Sequence, residues 1–350
     1  MKRSNYAPPT PAATNHERMQ AALARDDWPL LARLCHETLR KNRRDLTAHR
    51  MLGFALHKRR QPEKAFKAFE QAVAVFPDDA ELLINYANTL IEHAQNAQAL
   101  PLLEKVCALR PSKAISWIKL AECCYLMTLH EKGFAAALKA ADLAETVAEQ
   151  TSALMQKSIH RRELGQIKQA IQDSEAAIAL SPGDPGNHTN RLLFLLADPE
   201  VSAAQVAQAA RAYAAVFEPP LKAQRPSFAE LRGNPWRRLK VGFLSPDFRV
   251  HSVMYFVEGL LAQLDRRQFE VYAYYLYPRD DHVTERVQRH VDHFVRLAGL
   301  PWAEQAQRIR ADGIDILIDL AGHTGNNALL TLAHKAAPVQ VSWIGYPATT

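Results

Sequence analysis

An internal repeat in the first half of the chain constrains the fold most strongly. Residues 46–77 align with residues 80–111 at a shift of 34 positions, with large and small side chains in the same order. Each copy carries a small residue, Gly53 or Ala87, and ends in a proline, Pro77 or Pro111. Proline ends a helix and a small residue lets two helices cross closely. Each copy therefore predicts a closely packed pair of helices.

A period of 34 residues with this order of side chains is typical of the tetratricopeptide repeat. A third copy begins near Ala114, a fourth ends at Pro182, and an atypical helix pair before Leu46, with the sequence WPLLARLCHETL, is predicted to cap the array. We therefore expect a superhelical α array over residues 19–200, after a disordered tail of residues 1–18. Such arrays usually present a concave surface, so protein or peptide partners are expected there.

Two asparagines on one predicted helix, Asn85 and Asn88, are candidate peptide-binding residues. Side-chain amides on the concave surface can hydrogen-bond an extended peptide backbone. The alternative is that both are ordinary solvated side chains. The flanking repeats favour this alternative, because they carry no amides at the same offsets but Met51, Phe54, Lys119 and Glu122.

The second half of the chain alternates predicted strands with predicted helices. A linker helix and a proline-rich connection occupy residues 201–236. The predicted strands are LKVGFL, FEVYAYYL, IDILIDLAG and VQVSWIG. We expect helices after an N-cap at Ser252, from about 301 to a cap at Gly313, and over about 326–335. Residues 237–350 therefore predict an α/β Rossmann-like lobe with a mostly parallel sheet.

Three loops that follow predicted strands carry the candidate site, because ligands of such sheets bind at the carboxyl ends of the strands. These loops contain Asp247 and His251, then His323 and Thr324, then Gly345, Tyr346 and Pro347. We expect the two loop histidines to converge on one crevice and to be functional. His251 is predicted at a helix N-terminus, which favours an anion and a neutral imidazole that acts as a base. His293 follows a predicted helix and not a strand, so a functional role has less support for it than for His251 and His323.

The stretches LKVGFLSPDFRVHSVMYF, DGIDILIDLAGHTGNNALLTL and APVQVSWIGYPATT resemble the protein O-glycosyltransferases of the O-GlcNAc transferase and SPINDLY type. The resemblance covers about residues 51–350, and HSVMYF and GHTGNN are closer to the SPINDLY branch. It implies tetratricopeptide repeats joined to a two-lobed GT-B catalytic region. It also implies metal-independent, inverting transfer of a sugar from a nucleotide donor to Ser or Thr of proteins.

The resemblance assigns roles to individual residues. His251 matches a histidine at the reacting centre, and His293 aligns with a second histidine of the family. His323, Thr324, Gly345, Tyr346 and Pro347 match motifs at the rim of the first lobe. The expected catalytic residues are His251 and His323, and the expected substrate or donor contacts are Asp247, His293, Thr324, Gly345, Tyr346 and Pro347. The donor stays open between UDP-GlcNAc, the default, and GDP-fucose, and no other cofactor is expected.

The chain ends at Thr350, inside the region that resembles the first catalytic lobe. We therefore expect these residues to be part of a longer enzyme and to transfer sugar poorly alone. Two alternatives stay open. One is a non-catalytic tetratricopeptide scaffold with a partial lobe, and the other is a related transferase that modifies asparagine.

Composition narrows the remaining classes of function. The net charge is +6, but no aromatic residues interleave with the short basic runs, so nucleic acid is not an expected partner. No apolar run reaches the length of a membrane span, so no membrane partner is expected. The four cysteines show no metal-ligand spacing and indicate a reducing, cytoplasmic location.

Overall fold

The computed structural model describes residues 14–228 and 237–350. The chain divides into two compact units, of which the first ends at Leu164 and the second begins at Gly165. No helix within the described ranges combines the length and apolar character that crossing a membrane requires. The proline-rich connection predicted before the sheet lies partly outside these ranges, at residues 229–236.

The first unit is an array of helices that pack in consecutive pairs. The described helices are α1 (Asn15–Ala24), α2 (Trp28–Lys41), α3 (Leu46–Lys58), α4 (Pro62–Val75), α5 (Ala80–Glu92), α6 (Asn96–Leu109), α7 (Ala114–Leu126), α8 (His130–Leu143) and α9 (Val147–Glu163). A Cβ atom on Gly53 of α3 would lie 2.6 Å from the ring of Phe69 on α4. Only glycine permits this approach, so the packing role inferred for Gly53 from the repeat is confirmed.

Part of the predicted amino-terminal tail is helical. Residues 1–13 lie outside the described ranges, but residues 15–18, assigned to the tail, belong to α1. Thr14 and Glu17 form a capping box, in which each side chain accepts a hydrogen bond from the other residue's backbone N–H. Met19 is fully buried in the first core. The cap and this buried anchor explain why the helix starts early.

Four helices open the second unit and precede a sheet with four further helices. They are α10 (Ile167–Leu180), α11 (Pro185–Ala197), α12 (Ala203–Phe217) and α13 (Pro219–Lys222). The array was predicted to end at residue 200, whereas the first compact unit ends at Leu164. The reason is packing, since Leu192 and Leu195 of α11 share a core with Tyr213 of α12 and with Leu329 and Leu330 of the sheet region.

The sheet has five parallel strands in the order β3-β2-β1-β4-β5. Its elements are β1 (Leu239–Ser245), α14 (Met254–Gln263), β2 (Phe269–Tyr275), α15 (His282–His290), β3 (His293–Arg296), α16 (Trp302–Ala311), β4 (Ile316–Asp319), α17 (Leu329–Ala333) and β5 (Val339–Ser342). Alternate residues of β2 enter different cores. Tyr275 packs with Val257 of α14, whereas Tyr274 packs with Ile309 of α16. Helices therefore cover both faces, as in a doubly wound fold.

Two elements are shorter than the sequence predicts, and each has a local cause. The Asp319 carboxylate accepts hydrogen bonds from the N–H groups of Ala321 and Gly322, which ends β4 at Asp319. Asn326 has a left-handed backbone (φ 58°), so α17 cannot begin there and starts at Leu329.

Candidate active site at the carboxyl edge of the sheet

The strand order brings the predicted loops to one edge of the sheet. β4 lies between β1 and β5, and all three run parallel. The expectation that the three loops leave the same edge is therefore confirmed. The edge separates into two neighbourhoods, one around His251 in the β1 loop and one around His323 in the β4 loop.

His251 stands between a buried carboxylate and an open cavity. Its Nδ1 lies 3.7 Å from Oδ2 of Asp247 and 3.3 Å from the backbone nitrogen of Val253, whose N–H points at it. The side chain is 35% exposed. It lines a cavity of about 470 Å³ between α14 and α15, together with Tyr255, Glu258 and Arg286. His251 is thus held at one ring nitrogen and accessible from outside, as an acid–base group requires.

The helix N-terminus beside His251 does not form the anion site predicted for it. The N–H groups of Met254 and Tyr255 donate to the carbonyls of His251 and Ser252 within the first turn. Val253, not Ser252, occupies the N-cap position, without a side-chain cap. The prediction of Ser252 as N-cap is therefore wrong, and these N–H groups are not available to an anion.

Asp247 is almost fully buried behind His251. Burial raises the pKa of its carboxyl above the usual value, and the neighbouring His251 and Arg249 offset this rise only in part. Arg249 donates to the other carboxylate oxygen, Oδ1, at 3.3 Å. Asp247 therefore lies buried between Arg249 and His251, too deep to contact the donor at the surface.

A second acidic residue, Asp281, fixes the loop from the neighbouring helix. Its carboxylate caps α15 and also accepts the N–H of Val250, with a nitrogen–oxygen distance of 2.7 Å. Burial raises the pKa of Asp281, but hydrogen bonds from the N–H groups of Val250, Thr284 and Val283 outweigh burial and hold it below its usual value. The residue next to His251 is thereby tied to the start of α15.

His323 is fully buried and faces a different set of residues. Its Nδ1 lies 3.4 Å from the Thr189 hydroxyl, and its ring packs edge-on against Tyr213 and Tyr346 at centroid distances of 4.7 and 5.4 Å. Burial lowers the pKa of His323 to about 4, with a smaller contribution from His188. The expectation that both histidines converge on one crevice is wrong, because α11 and α12 cover His323.

The glycines of the β4 and β5 loops serve close packing. A Cβ atom on Gly345 would lie 1.8 Å from the carbonyl oxygen of Leu320, and one on Gly322 would lie 2.4 Å from Cβ of Tyr346. Tyr346 is buried, and burial raises its pKa to about 12. Gly345 and Tyr346, predicted to bind donor, therefore join the two loops in this structure.

Two other predicted rim residues remain accessible. The Thr324 hydroxyl donates to the carbonyl of Ala321 at 3.0 Å, and Thr324 lines a cavity of about 230 Å³ together with Trp302 and Asn326. Pro347 is exposed. Their assignment as donor contacts stays a prediction.

His293 lies away from this edge. It is the first residue of β3 and pairs with Tyr272 in the register of the sheet, so it stands toward the amino ends of the strands. Its Nε2 is 2.9 Å from Oε1 of Glu270, and its ring stacks on Tyr272 with a centroid distance of 4.2 Å. The prediction that His293 contacts donor beside His251 is not supported by this placement.

The sequence analysis missed the contribution of the β2 loop. Ser245 and Tyr275 pair at the ends of β1 and β2, so Tyr277 and Arg279 leave the sheet beside the His251 loop. The signal was available, because FEVYAYYL was predicted as a strand and the polar stretch PRDD follows shortly after its end. Knowing that β2 neighbours β1, however, required the sheet order.

In the first unit, Asn85 and Asn88 lie half-buried on α5. Within the described ranges, neither side-chain amide has a hydrogen-bond partner. At the same offsets on α7, Lys119 donates to Glu122 at 2.7 Å. Among the described residues, no group of three or more His, Cys, Asp or Glu side chains is arranged to hold a metal ion.

Profiles of known families match a segment in each half of the chain. The glycosyl transferase family 41 profile matches residues 205–350, and a tetratricopeptide repeat profile matches residues 56–106. The SPINDLY protein of Arabidopsis thaliana, a probable UDP-N-acetylglucosamine–peptide N-acetylglucosaminyltransferase, is 41% identical over 121 residues. A UDP-N-acetylglucosamine–peptide N-acetylglucosaminyltransferase of Caenorhabditis elegans is 34% identical over 116 residues.

These matches cover limited parts of the relatives. The aligned segments amount to 33% of this chain and to 13% and 10% of the two relatives. A solved mutant of the Thermobaculum terrenum O-GlcNAc transferase matches 86% of this chain and 50% of its own, with a TM-score of 0.58 and 26% identity. The chain therefore joins a tetratricopeptide array to a region that matches the glycosyl transferase family 41 profile and is similar to the SPINDLY and O-GlcNAc transferase proteins.

Proposed function

We propose that the whole protein transfers a sugar from a nucleotide-sugar donor to Ser or Thr hydroxyls of proteins. One observation carries the proposal. Within the region that matches family 41, an accessible histidine, His251, lies at the carboxyl edge of a parallel sheet with the buried Asp247 carboxylate behind it. The repeat array would hold the acceptor protein, and Asn85 and Asn88 are the proposed contacts with its backbone.

In the proposed reaction, His251 takes the proton of the acceptor hydroxyl at Nε2. The hydroxyl oxygen forms a bond to the anomeric carbon as the bond from that carbon to the nucleotide diphosphate breaks, with inversion. For Nε2 to accept a proton, Nδ1 of the neutral ring must carry one. The Val253 N–H favours the opposite tautomer, whereas the Asp247 carboxylate favours the reactive one. We therefore propose that His251 turns toward Asp247 when substrate binds.

The names of the relatives support UDP-GlcNAc as the donor. The SPINDLY-like motifs around His251 and His323 keep GDP-fucose as the second candidate. We further propose a GT-B architecture, transfer without a metal ion, and a cytoplasmic location. The four cysteines are free and buried, which fits the proposed reducing compartment.

The test uses the whole protein from its native source, with UDP-GlcNAc and GDP-fucose in parallel and EDTA present. Sugar addition to protein acceptors is measured by mass spectrometry. We expect His251→Ala to lower kcat/KM about 100-fold or more, the usual scale of a lost general base. His293→Ala, at the opposite end of the strands, should change it by less than about threefold.

The rival function is a non-catalytic scaffold that binds proteins through the repeats. Transfer with neither donor, or equal transfer by wild type and His251→Ala, would favour the scaffold. Transfer to asparagine amides instead of hydroxyls would identify the asparagine-modifying alternative. Fragmentation spectra locate the modified residue and separate these outcomes.

A further inference from the structure

Two arginines beside His251 stand over the same aromatic ring. Cζ of Arg249 lies 4.6 Å from the ring centroid of Tyr277, and Cζ of Arg279 lies 5.1 Å from it. Arg279 also donates through Nη2 to the Tyr277 hydroxyl. An arginine packed against a ring keeps its N–H groups at the edge of the guanidinium, where they can still bind an oxyanion.

Both guanidinium groups have unused hydrogen-bond donors. Nε of Arg249 and Nη1 of Arg279 are buried, and neither has a hydrogen-bond partner in the described structure. A buried N–H without an acceptor has a cost, because it has lost its hydrogen bond to water. An acceptor that reaches these nitrogens after a modest side-chain rotation would remove this cost.

The carboxylates nearby leave one of the two positive charges uncompensated. Asp247 contacts Arg249 and also faces His251. The two acidic residues that follow Arg279 are engaged elsewhere, Asp280 with Arg296 and Asp281 with backbone N–H groups. Within the described ranges, Arg279 forms no ion pair with a carboxylate.

The backbone positions of both arginines are fixed by the sheet. Arg249 follows β1 and Arg279 follows β2, and these strands pair in parallel up to Ser245 and Tyr275. The Tyr275 hydroxyl donates to the carbonyl of Arg279 at 2.6 Å. The cationic pair is therefore built on neighbouring strand ends, on the edge that carries His251.

We propose that Arg249 and Arg279 form a subsite for an oxyanion, with planar guanidinium groups that match a carboxylate or a phosphate. Two sources supply this chemistry, an acidic side chain of the acceptor protein or the diphosphate of the donor. The subsite would add a substrate contact to the proposed function. It rests on that function only for the choice between the two sources of the oxyanion. Binding of an oxyanion requires no sugar transfer.

The test follows the arginine side-chain N–H signals by NMR in the complete 350-residue chain labelled with ¹⁵N-arginine. The probes are sodium pyrophosphate, a short peptide with aspartates next to a serine, and the same peptide with asparagines. We expect the Arg249 and Arg279 signals to shift with pyrophosphate or with the aspartate peptide, but not with the asparagine peptide. The probe that shifts them identifies the source.

Matched variants separate this subsite from general attraction to a chain of net charge +6. Arg279→Gln and Arg249→Gln should each weaken binding about tenfold. Arg267→Gln is the control, because its side chain is 91% exposed and pairs only with neighbouring Asp265. Equal weakening by the control, or no shift of either signal at about 10 mM probe, would overturn the subsite.

The outcome is independent of the transfer assay. Oxyanion binding without sugar transfer would leave the subsite standing and remove the proposed function. Sugar transfer without any effect of Arg249→Gln or Arg279→Gln on oxyanion binding would support the proposed function and overturn the subsite.

Discussion

At the scale of single residues, burial decides which histidine can take part in chemistry. His251 and His323 follow neighbouring parallel strands, and from sequence they look equivalent. The structure leaves His251 partly exposed and buries His323 completely against Thr189, Tyr213 and Tyr346. His323 therefore contributes to stability, in a way that depends on pH.

We predict that His323 makes the second unit less stable as the pH falls. Its pKa is about 4 in the folded state against 6.5 for the free group. Above pH 6.5 it is neutral in both states, and below that pH the unfolded state takes up the proton first. The loss grows down to about pH 4 and reaches about 3 kcal/mol. Urea unfolding at several pH values should show a weaker pH dependence for His323→Phe, and equal dependence in both proteins would contradict this role.

A second residue-scale prediction concerns the contact between the β4 and β5 loops. Gly345→Ala places a methyl group against the backbone of Leu320, which cannot move aside as a flexible side chain does. We expect the free energy of unfolding to fall by about 3 kcal/mol or more. Gly325→Ala is the control, because nothing lies within 4 Å of its added Cβ. Thermal unfolding of both variants measures the difference, and equal stability would show that the loops separate easily.

At the scale of elements, Asp281 couples α15 to the loop that carries His251. Asp281→Ala removes the cap of α15 and the acceptor of the Val250 N–H. We expect a loss of about 1 kcal/mol, typical of a helix cap. Amide hydrogen exchange in residues 246–253 should also become faster.

The matched control is Ser202→Ala, which removes the capping box of α12. It should cost a similar free energy without changing hydrogen exchange around His251. If both variants accelerate exchange in residues 246–253 equally, global destabilisation explains the effect and the specific link is absent.

At the scale of the whole molecule, the proposed division of labour gives the repeats the acceptor and the sheet edge the chemistry. Asn85→Ala combined with Asn88→Ala should raise KM for protein acceptors about tenfold and leave kcat nearly unchanged, because binding is lost but the reacting groups remain. The control is Lys119→Ala with Glu122→Ala, since these residues pair with each other at the same offsets. Steady-state kinetics of the whole protein measure KM and kcat for both double variants. An effect on kcat alone would contradict a binding role.

The sequence by itself determined the elements and their class. The repeat period placed the helix pairs, and the small residue at Gly53 indicated where α3 and α4 approach closely. Strands alternating with helices predicted a parallel sheet, because each helix carries the chain back so that the next strand runs in the same direction. These properties follow from local patterns along the chain, which is why sequence reasoning recovered them.

Only the tertiary structure decided which side chains share a site. The order of strands put the loop with Tyr277 and Arg279 next to the His251 loop. The register of β3 put His293 toward the opposite end, and helix packing put α11 and α12 over His323. A hydrogen bond from the Ala321 N–H to Asp319 also ends β4 earlier than its sequence suggests, and the left-handed backbone of Asn326 delays the start of α17. The physical reason is that access, burial and charge pairing depend on residues that are distant in sequence. The periodicity of one chain segment does not show which distant residues will contact it.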